Sequence, residues 1–469
     1  MKKNNPIHKY YLLHIHYLYI YQSSEYNTKL YFKYVKKNLL NPKIFKKVFK
    51  ENIETSARID IYLIFTLLLQ LLTIYITMGK YSNTIIDILL LLVIYILTPI
   101  YIYISNIFVL PIFFILKNIL VRKAQRKVQK IKDIKIIAVT GSFGKSSTVS
   151  FIYAMLKDST EIFTPKAGVN TIIGISREII NKMPYNTKIL LLEIGAYKEG
   201  EIKEVIKKFT PDISVITEIG IEHLERFKSL RSIIKSETES IRFSKDNAII
   251  VVPSKLVKRE YIPILNDRKY IYVSYKIQKI KDLTTYFSIT QNDITMSFHT
   301  KLLGKANINN LSLAITTILL FEKTNIQGRI NNLKPLERRL NPIINNKILI
   351  IDDTYNISFK SGKNGVITLF DLKKMKEIKR SVIATGGIVE LGKKSYIINK
   401  KYGTMLNKHI DLIILFDTPY KKAIKDGIEN KEKILEYKDY ESLDNDLKKI
   451  LKSKDGFLMQ NEIPDEYYI

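Results

Sequence analysis

The nine residues TGSFGKSST (140–148) constrain this chain more than any other stretch. They follow the apolar run KIIAVT (135–140) and open an amphipathic segment, 145–157. A glycine-rich turn between a strand and a helix calls for a strand–loop–helix unit whose helix N-terminus offers amide groups to an anion. Gly141 and Gly144 let the backbone fold tightly enough for those amides to face a phosphate. Lys145 then reaches the β- and γ-phosphates, and the Ser146 hydroxyl ligates Mg²⁺. The long form of this loop has another glycine five residues before the second one. That place is Val139 here, so the pattern is the shorter G-x-x-G-K-[ST] form. The expected nucleotide contacts are Gly141, Ser142, Gly144, Lys145, Ser146 and Ser147.

The rest of the chain from about 133 onward has the same rhythm of short apolar runs alternating with amphipathic stretches. KILLLE (188–193), DISVIT (212–217) and NAIIVV (247–252) read as further buried parallel strands, with 199–209 as a helix between two of them. A second series, KILIID (347–352), SVIATG (381–386) and DLIILF (411–416), starts after about 326. This alternation predicts α/β architecture: a P-loop-type doubly wound central domain over 133–325 and a C-terminal Rossmann-like α/β domain over 326–469.

The first 130 residues differ. Residues 61–78 carry no charge, and as a helix they span roughly 27 Å, close to the hydrocarbon thickness of a bilayer. A second apolar run, about 84–104, contains Asp87 and Pro99; a third, 107–116, is too short to span alone and either extends the second helix or lies in the interface. The expected organisation is a basic cytoplasmic segment (1–58), a membrane hairpin (59–121, spans about 61–78 and 84–104) and a basic linker (122–132). A buried hairpin in a soluble domain is the competing reading. Lys43, Lys46, Lys47, Lys50 and Arg58 precede the first span. Lys117, Arg122, Lys123, Arg126, Lys127 and Lys130 follow the last run, and only Lys80 lies between. By the positive-inside rule both ends face the cytoplasm, which puts the catalytic domains on the cytoplasmic face of the cell membrane. Residues 10–20 contain His14 and His16 and read as a surface or interfacial segment rather than a cleaved signal peptide.

The 469 residues include no cysteine, which excludes disulfides, thiolate metal sites and a cysteine nucleophile. A catalytic metal must then sit on oxygen or nitrogen ligands, which favours Mg²⁺. The formal charge of +30 fits an anionic membrane lipid surface, or a coding bias towards lysine. No nucleic-acid-binding motif accompanies it, so no nucleic-acid partner is expected.

Further motifs extend the P-loop into a set. Glu193 ends a strand in LLLEIGAYKEGEI, His223 lies in TEIGIEHLERFKSL, and Lys235 in IIKSETESI. GKANINNLSLAI (304–315), ERRLNP (337–342), DDTYN (352–356) and GGIVELGKKS (386–395) come next. In order and spacing this set resembles the Mur ligase family, and within it the branch that adds D-alanyl-D-alanine to a UDP-muramoyl tripeptide. The resemblance covers roughly 133–420.

What the resemblance implies is an ATP-dependent amide ligase that works through an acyl phosphate and releases ADP and phosphate. Its partners would be a small-molecule or lipid-linked peptide precursor and an amino acid or dipeptide. The substrate carboxylate must approach the γ-phosphate, and at about 4 Å each unit-charge pair costs around 4 kcal/mol at a protein-surface dielectric. Divalent cations, two of them in the fullest form, neutralise this repulsion. The resemblance assigns Ser146 and Glu193 to one Mg²⁺, and His223 with a carbamylated Lys235 to the second. It places Asn307 and Asn310 at the adenine, Arg339 at the transferring phosphoryl group, and Asp353 at the ribose. Asn170, Tyr355 and Asn356 would face the substrates. Lys145, His223, Lys235 and Arg339 form the implied catalytic set.

The chain departs from the family in three places. Ala306 stands where a histidine is usual, Asn170 is followed by Thr171 rather than a second asparagine, and no UDP-binding domain precedes the P-loop. A lipid-linked precursor, a related carboxylate–amine ligase of the pseudomurein or polyglutamylation type, and a non-catalytic nucleotide-binding scaffold on the membrane all remain open on the sequence.

Overall fold

The computed structural model describes residues 14, 16–22, 24, 28–38, 57–78, 84–220, 227, 229–322, 325–355, 358–389 and 391–460. The chain divides into two compact units, Met1–Leu120 and Val121–Ile469.

The first unit contains helices α1 (Thr28–Asn38), α2 (Ala57–Met78) and α3 (Thr84–Ile96), and most of α4 (Thr98–Gln129). The stretches Ile59–Thr77 and Thr98–Gln129 are long and apolar enough to cross a membrane. The apolar run 84–104 is not one helix. It is divided at Leu97, two residues before Pro99, which has no N–H to continue the preceding helix and falls in the first turn of α4, where a proline is tolerated. The third run falls inside α4, which carries Pro111 within it. Polar side chains pair across the helix faces: His14 Nε2 with Gln70 Oε1 at 2.8 Å, Gln70 Nε2 with Thr98 Oγ1 at 3.2 Å, and Thr66 Oγ1 with Ser105 Oγ at 3.1 Å. His14 and His16 are therefore buried rather than at a surface, and Tyr17, Tyr21 and Tyr31 pack with Tyr62 and Ile102. The opposite faces leave Leu68, Leu72, Tyr75, Ile107 and Phe114 exposed.

The second unit holds two sheets. The larger has the order β2-β3-β1-β4-β5-β6-β7-β8. Its strands are β1 (Lys135–Thr140), β2 (Ile162–Phe163), β3 (Ile189–Glu193), β4 (Ile213–Ile216), β5 (Ile249–Pro253), β6 (Lys269–Lys281), β7 (Thr284–Gln291) and β8 (Ile294–Thr300). Strands β2 to β6 are parallel with β1, and β6–β8 continue as an antiparallel meander. β1, β3 and β4 are buried on both faces, which is why they read as unbroken apolar runs. On one face Lys145–Leu156 and Lys305–Ile318 close the core. On the other, Ile172–Lys182 and Glu201–Lys208 pack with Val121, Ala124 and Val128.

The smaller sheet has the order β13-β12-β11-β14-β10-β9. It comprises β9 (Asn341–Asn345), β10 (Ile348–Asp353), β11 (Arg380–Thr385), β12 (Leu412–Phe416), β13 (Ile434–Tyr437) and β14 (Asp455–Gln460), parallel except for β9. Both sheets match the expected doubly wound and Rossmann-like α/β domains. The strands β2, β6–β8, β9, β13 and β14 were not anticipated. β6 mixes exposed and buried residues, β7 alternates half-buried and buried ones, and β8 is mostly exposed or half-buried, so none has the continuous apolar signature of the central strands.

The sheet core makes a simple stability test. Leu191, fully buried in β3, loses its packing and leaves a cavity when cut to alanine. Leu191→Ala is expected to cost about 2–5 kcal/mol, read as a lower unfolding midpoint of the detergent-solubilised chain.

Candidate functional site

The site forms where β1, β3, β4 and β10 end, in a cavity of about 420 Å³ at the junction of the two sheets. Ligands of open α/β sheets bind outside the carboxyl ends of the strands. After β1 the backbone turns through Gly141 (φ 126°) and Gly144 (φ 89°), conformations that side chains rarely allow. Space forbids side chains too: a Cβ on Gly141 would strike Thr217 Oγ1, and one on Gly144 would strike the Asn310 amide.

The amides at the start of this loop are used internally. Gly141 N donates to Glu237 Oε2 at 2.7 Å, and Ser142 N and Phe143 N donate to Glu218 O at 2.7 and 3.2 Å. The amides left to face an anion are those of the first turn of Lys145–Leu156, where the helix dipole adds positive potential. Lys145 Nζ folds back onto Gly141 O at 2.6 Å, and Ser146 Oγ donates to Glu193 Oε1 at 2.8 Å. That hydroxyl–carboxylate pair is an all-oxygen donor set of the kind Mg²⁺ prefers. No group of three His, Asp or Glu side chains clusters among the described residues. Mg²⁺ does not need one, since it takes one or two carboxylates and completes its shell with phosphate oxygens and water.

The C-terminal domain closes the cavity with Arg339, Asp353, Tyr355 and Lys360. The Arg339 guanidinium lies over the Tyr355 ring, 4.3 Å from its centroid. Asp353 is buried at the end of β10, accepting from Leu340 N at 3.2 Å and Gln460 Nε2 at 2.8 Å. Burial pushes its carboxyl up to about 7, against the two hydrogen bonds and the Arg339 charge that lower it. Asp352, by contrast, closes a local turn onto Thr354 N at 3.1 Å. Lys360 pairs with the buried Glu218 of the central domain, as does Lys255. Burial raises the Glu218 carboxyl, but the Lys255 and Lys360 charges more than offset it and hold it below its usual range. Lys145, Lys255, Lys305, Arg339 and Lys360 outnumber Glu193, Glu218 and Asp353 around the cavity, which suits an anionic ligand.

Comparison with known proteins fits this geometry. Residues 139–318 match the model of the Mur ligase middle domain. The central domain is similar to the Mur ligase middle domain over nearly its whole length. The chain is 26% identical over 281 residues to the UDP-N-acetylmuramoyl-tripeptide–D-alanyl-D-alanine ligase of Bacillus subtilis, covering 58% of this chain and 60% of that one. It thus spans less than two thirds of the length of that relative. Among solved structures, the MurF ligase of Thermotoga maritima in complex with ADP shares the fold, with TM-score 0.67, 24% identity, and coverage of 74% of this chain and 80% of that one. Folylpolyglutamate synthase of the same organism also shares it, with TM-score 0.51, 12% identity, and coverage of 72% and 90%.

In this structure the expected residues separate into two groups. Ser142, Gly144, Lys145, Ser146, Ser147, Asn170, Glu193, Asn307 and Asn310 border the cavity, and Arg339, Asp353 and Tyr355 join them from the C-terminal domain. Asn310 is set against Gly144, and Asn307 Nδ2 donates to Leu303 O at 3.0 Å. Lys235 is not with them. Its side chain is 63% exposed and pairs with Glu199 Oε2 at 2.6 Å, on the solvent side of its helix. His223 and Asn356 lie outside the described residues. Sequence reasoning passed over Glu218, Glu237, Lys255, Lys305 and Lys360. The first two follow a strand end and sit in an acidic run respectively, and only tertiary contacts reveal their burial. The three lysines are indistinguishable by sequence from the chain's many surface lysines.

The Asp353 carboxyl gives a pH signature. Its folded-state value of about 7 lies above the ordinary 3.8, so the folded chain holds the extra proton. The associated stability is complete below the unfolded value and is lost as pH rises through the folded one. The unfolding midpoint of Asp353→Asn should gain on that of the parent chain as pH is raised from about 5 to about 8. Parallel pH profiles for the two chains would contradict this.

Proposed function

We propose that this chain is an ATP-dependent carboxylate–amine ligase acting on a cell-wall peptide precursor. The observation that carries the proposal is one cavity joining the P-loop and the Ser146–Glu193 pair to Arg339, Asp353 and Tyr355 of a second domain. The Bacillus subtilis relative, by its name, joins D-alanyl-D-alanine to a UDP-N-acetylmuramoyl tripeptide. The same class of acceptor and amine is proposed here.

In this reading the precursor's carboxylate attacks the γ-phosphorus of ATP, ADP leaves, and an acyl phosphate forms. The amine then attacks the acyl carbon, and phosphate departs as the amide forms, the amine proton passing to phosphate or solvent. The helix N-terminus and Lys145 receive the phosphates, and Arg339 faces the transferring phosphoryl group from the other domain. Ser146 and Glu193 would hold Mg²⁺, which supplies charge neutralisation between the two anions. Asn307 and Asn310 border the adenine end, Asp353 the ribose, and Asn170 and Tyr355 the reacting substrates.

The unit with two membrane-length apolar helices supports a place for the chain at the cell membrane, with the ligase domains on the cytoplasmic face. A lipid-linked precursor is then the natural acceptor, since the anchor raises its local concentration. The chain is expected to stay with the membrane fraction through an alkaline carbonate wash and to need detergent for release. Recovery in the soluble fraction would remove the anchor from this account.

The ligase test is ADP release by the detergent-solubilised chain with Mg²⁺-ATP, bicarbonate and an envelope-precursor extract, with and without D-alanyl-D-alanine. The dipeptide should stimulate release, and Lys145→Ala should reduce it by about 10²–10³-fold. Stimulation by glutamate instead would move the assignment to a polyglutamylating ligase. Nucleotide binding without turnover for any amine would leave a scaffold.

A further inference from the structure

We infer that Lys360 is a positioning residue: it seats the C-terminal domain on the P-loop through Glu218 and the Phe143 ring, and so sets the register of Arg339, Asp353 and Tyr355 against that loop. The inference deepens the ligase reading and rests on it for the turnover it predicts.

Glu218 belongs to the loop as much as to the strand before it. Its carbonyl accepts from Ser142 N and Phe143 N at 2.7 and 3.2 Å, and its own amide donates to Phe143 O at 3.4 Å. Two residues on, Gly220 N donates to Ser142 Oγ at 3.1 Å. A group held by the Glu218 side chain is therefore held against the P-loop itself. Lys360 is such a group. Its ammonium pairs with the Glu218 carboxylate, whose side chain is only 8% exposed. The same ammonium lies 5.8 Å from the centroid of the Phe143 ring, within reach of a cation–π attraction. Gly220 leaves the passage open: a Cβ there would come within 2.9 Å of the Phe143 ring and 3.7 Å of the Lys360 stem.

Lys360 stands in the first turn of the helix Phe359–Lys374, which Ser358 and Ser361 close with a capping box. It follows Asp353, the last residue of β10, by seven positions and Tyr355 by five (360 − 353 and 360 − 355). Moving this helix away from the P-loop therefore draws both residues with it. The Lys305–Asp371 pair also joins the domains, but its side chains are 52% and 25% exposed, so water screens it more. The Lys360–Glu218 pair is the less solvated link, and attraction across it is correspondingly stronger. Phosphoryl transfer is sensitive to such a link, since a misplacement of about 1 Å costs around 10²-fold in rate.

The test reads the distance between the domains. The chain has no cysteine, so two introduced ones take spin labels selectively. Arg177→Cys in the central domain and Lys448→Cys in the C-terminal domain replace exposed helical residues. The full chain in detergent, saturated with Mg²⁺ and a non-hydrolysable ATP analogue, is measured by double electron–electron resonance. The labelled parent should give one narrow distance distribution. Lys360→Met, which keeps the stem and removes the charge, should broaden it. Glu218→Gln should do the same, and Lys360→Arg should restore the narrow form. In turnover, Lys360→Met should lower kcat about 10–100-fold with little change in the KM for ATP. A narrow distribution in Lys360→Met overturns the inference, and a fall in kcat beside it would mean that the ammonium touches the substrates directly. A broad distribution in the parent overturns it as well. If Glu218→Gln does not fold, Lys360→Met and its arginine rescue decide the question. The distances are read without amide formation, so failure of the ligase reading shows separately, as the expected distances in a chain with no turnover.

Discussion

Gly141 and Gly144 must hold left-handed backbone conformations in a space with no room for a Cβ, and the site is built around that requirement. Thr217 Oγ1, which blocks the space beside Gly141, donates to Thr140 O at 3.0 Å and so ties β4 to the end of β1. Asn310, which fills the space beside Gly144, comes from the helix Lys305–Ile318. Glu237 reaches the Gly141 amide from a third element. The turn is thus set by the sheet register, by a helix packed across the sheet and by a buried carboxylate, three contributions from distant parts of the sequence. A loop shaped this way keeps its form before a ligand arrives, which lowers the ordering cost of binding.

Charge organises the second level. A cavity suited to anionic ligands needs cations, yet cations packed together without counter-charge repel one another. Glu218 resolves this by sitting buried among Lys255, Lys360 and, at 4.0 Å, Arg259. Because Lys360 belongs to the C-terminal domain, the same carboxylate links the two sheets across the cavity. Lys305 makes a second link, to Asp371 at 3.1 Å. Removing a cation from the buried Glu218 strands its charge, so the Glu218–Lys360 contact holds the domains in register more firmly than a surface bridge such as Lys305–Asp371 does.

Much of this was legible in the sequence, for definite physical reasons. The strands β1, β3, β4, β5, β11 and β12 announce themselves because burial on both faces demands unbroken apolar runs. The P-loop announces itself because only glycine tolerates its backbone. The antiparallel strands β6–β8 were hidden by their mixed burial, and the break at Leu97 was hidden within a run whose hydropathy never falters. Lys235 and Glu237 show the limit most clearly. Both sit in IIKSETESI, and the family resemblance pointed to the lysine. Which of two residues two places apart faces inward depends on the rotation of one helix against the sheet, and no local pattern records that rotation. The Lys360–Glu218 contact spans 142 residues of sequence (360 − 218) and joins two domains, so nothing local could have shown it.

The central claim is that a carboxylate is activated by phosphoryl transfer in this cavity. The most direct measurement is the fate of oxygen: an acceptor labelled with ¹⁸O in its carboxylate is turned over with unlabelled Mg²⁺-ATP and amine, and the released phosphate is examined by mass spectrometry. Transfer of one ¹⁸O from carboxylate to phosphate is the predicted result, because the bridging oxygen of an acyl phosphate leaves with the phosphoryl group. Amide formation with unlabelled phosphate would contradict the account.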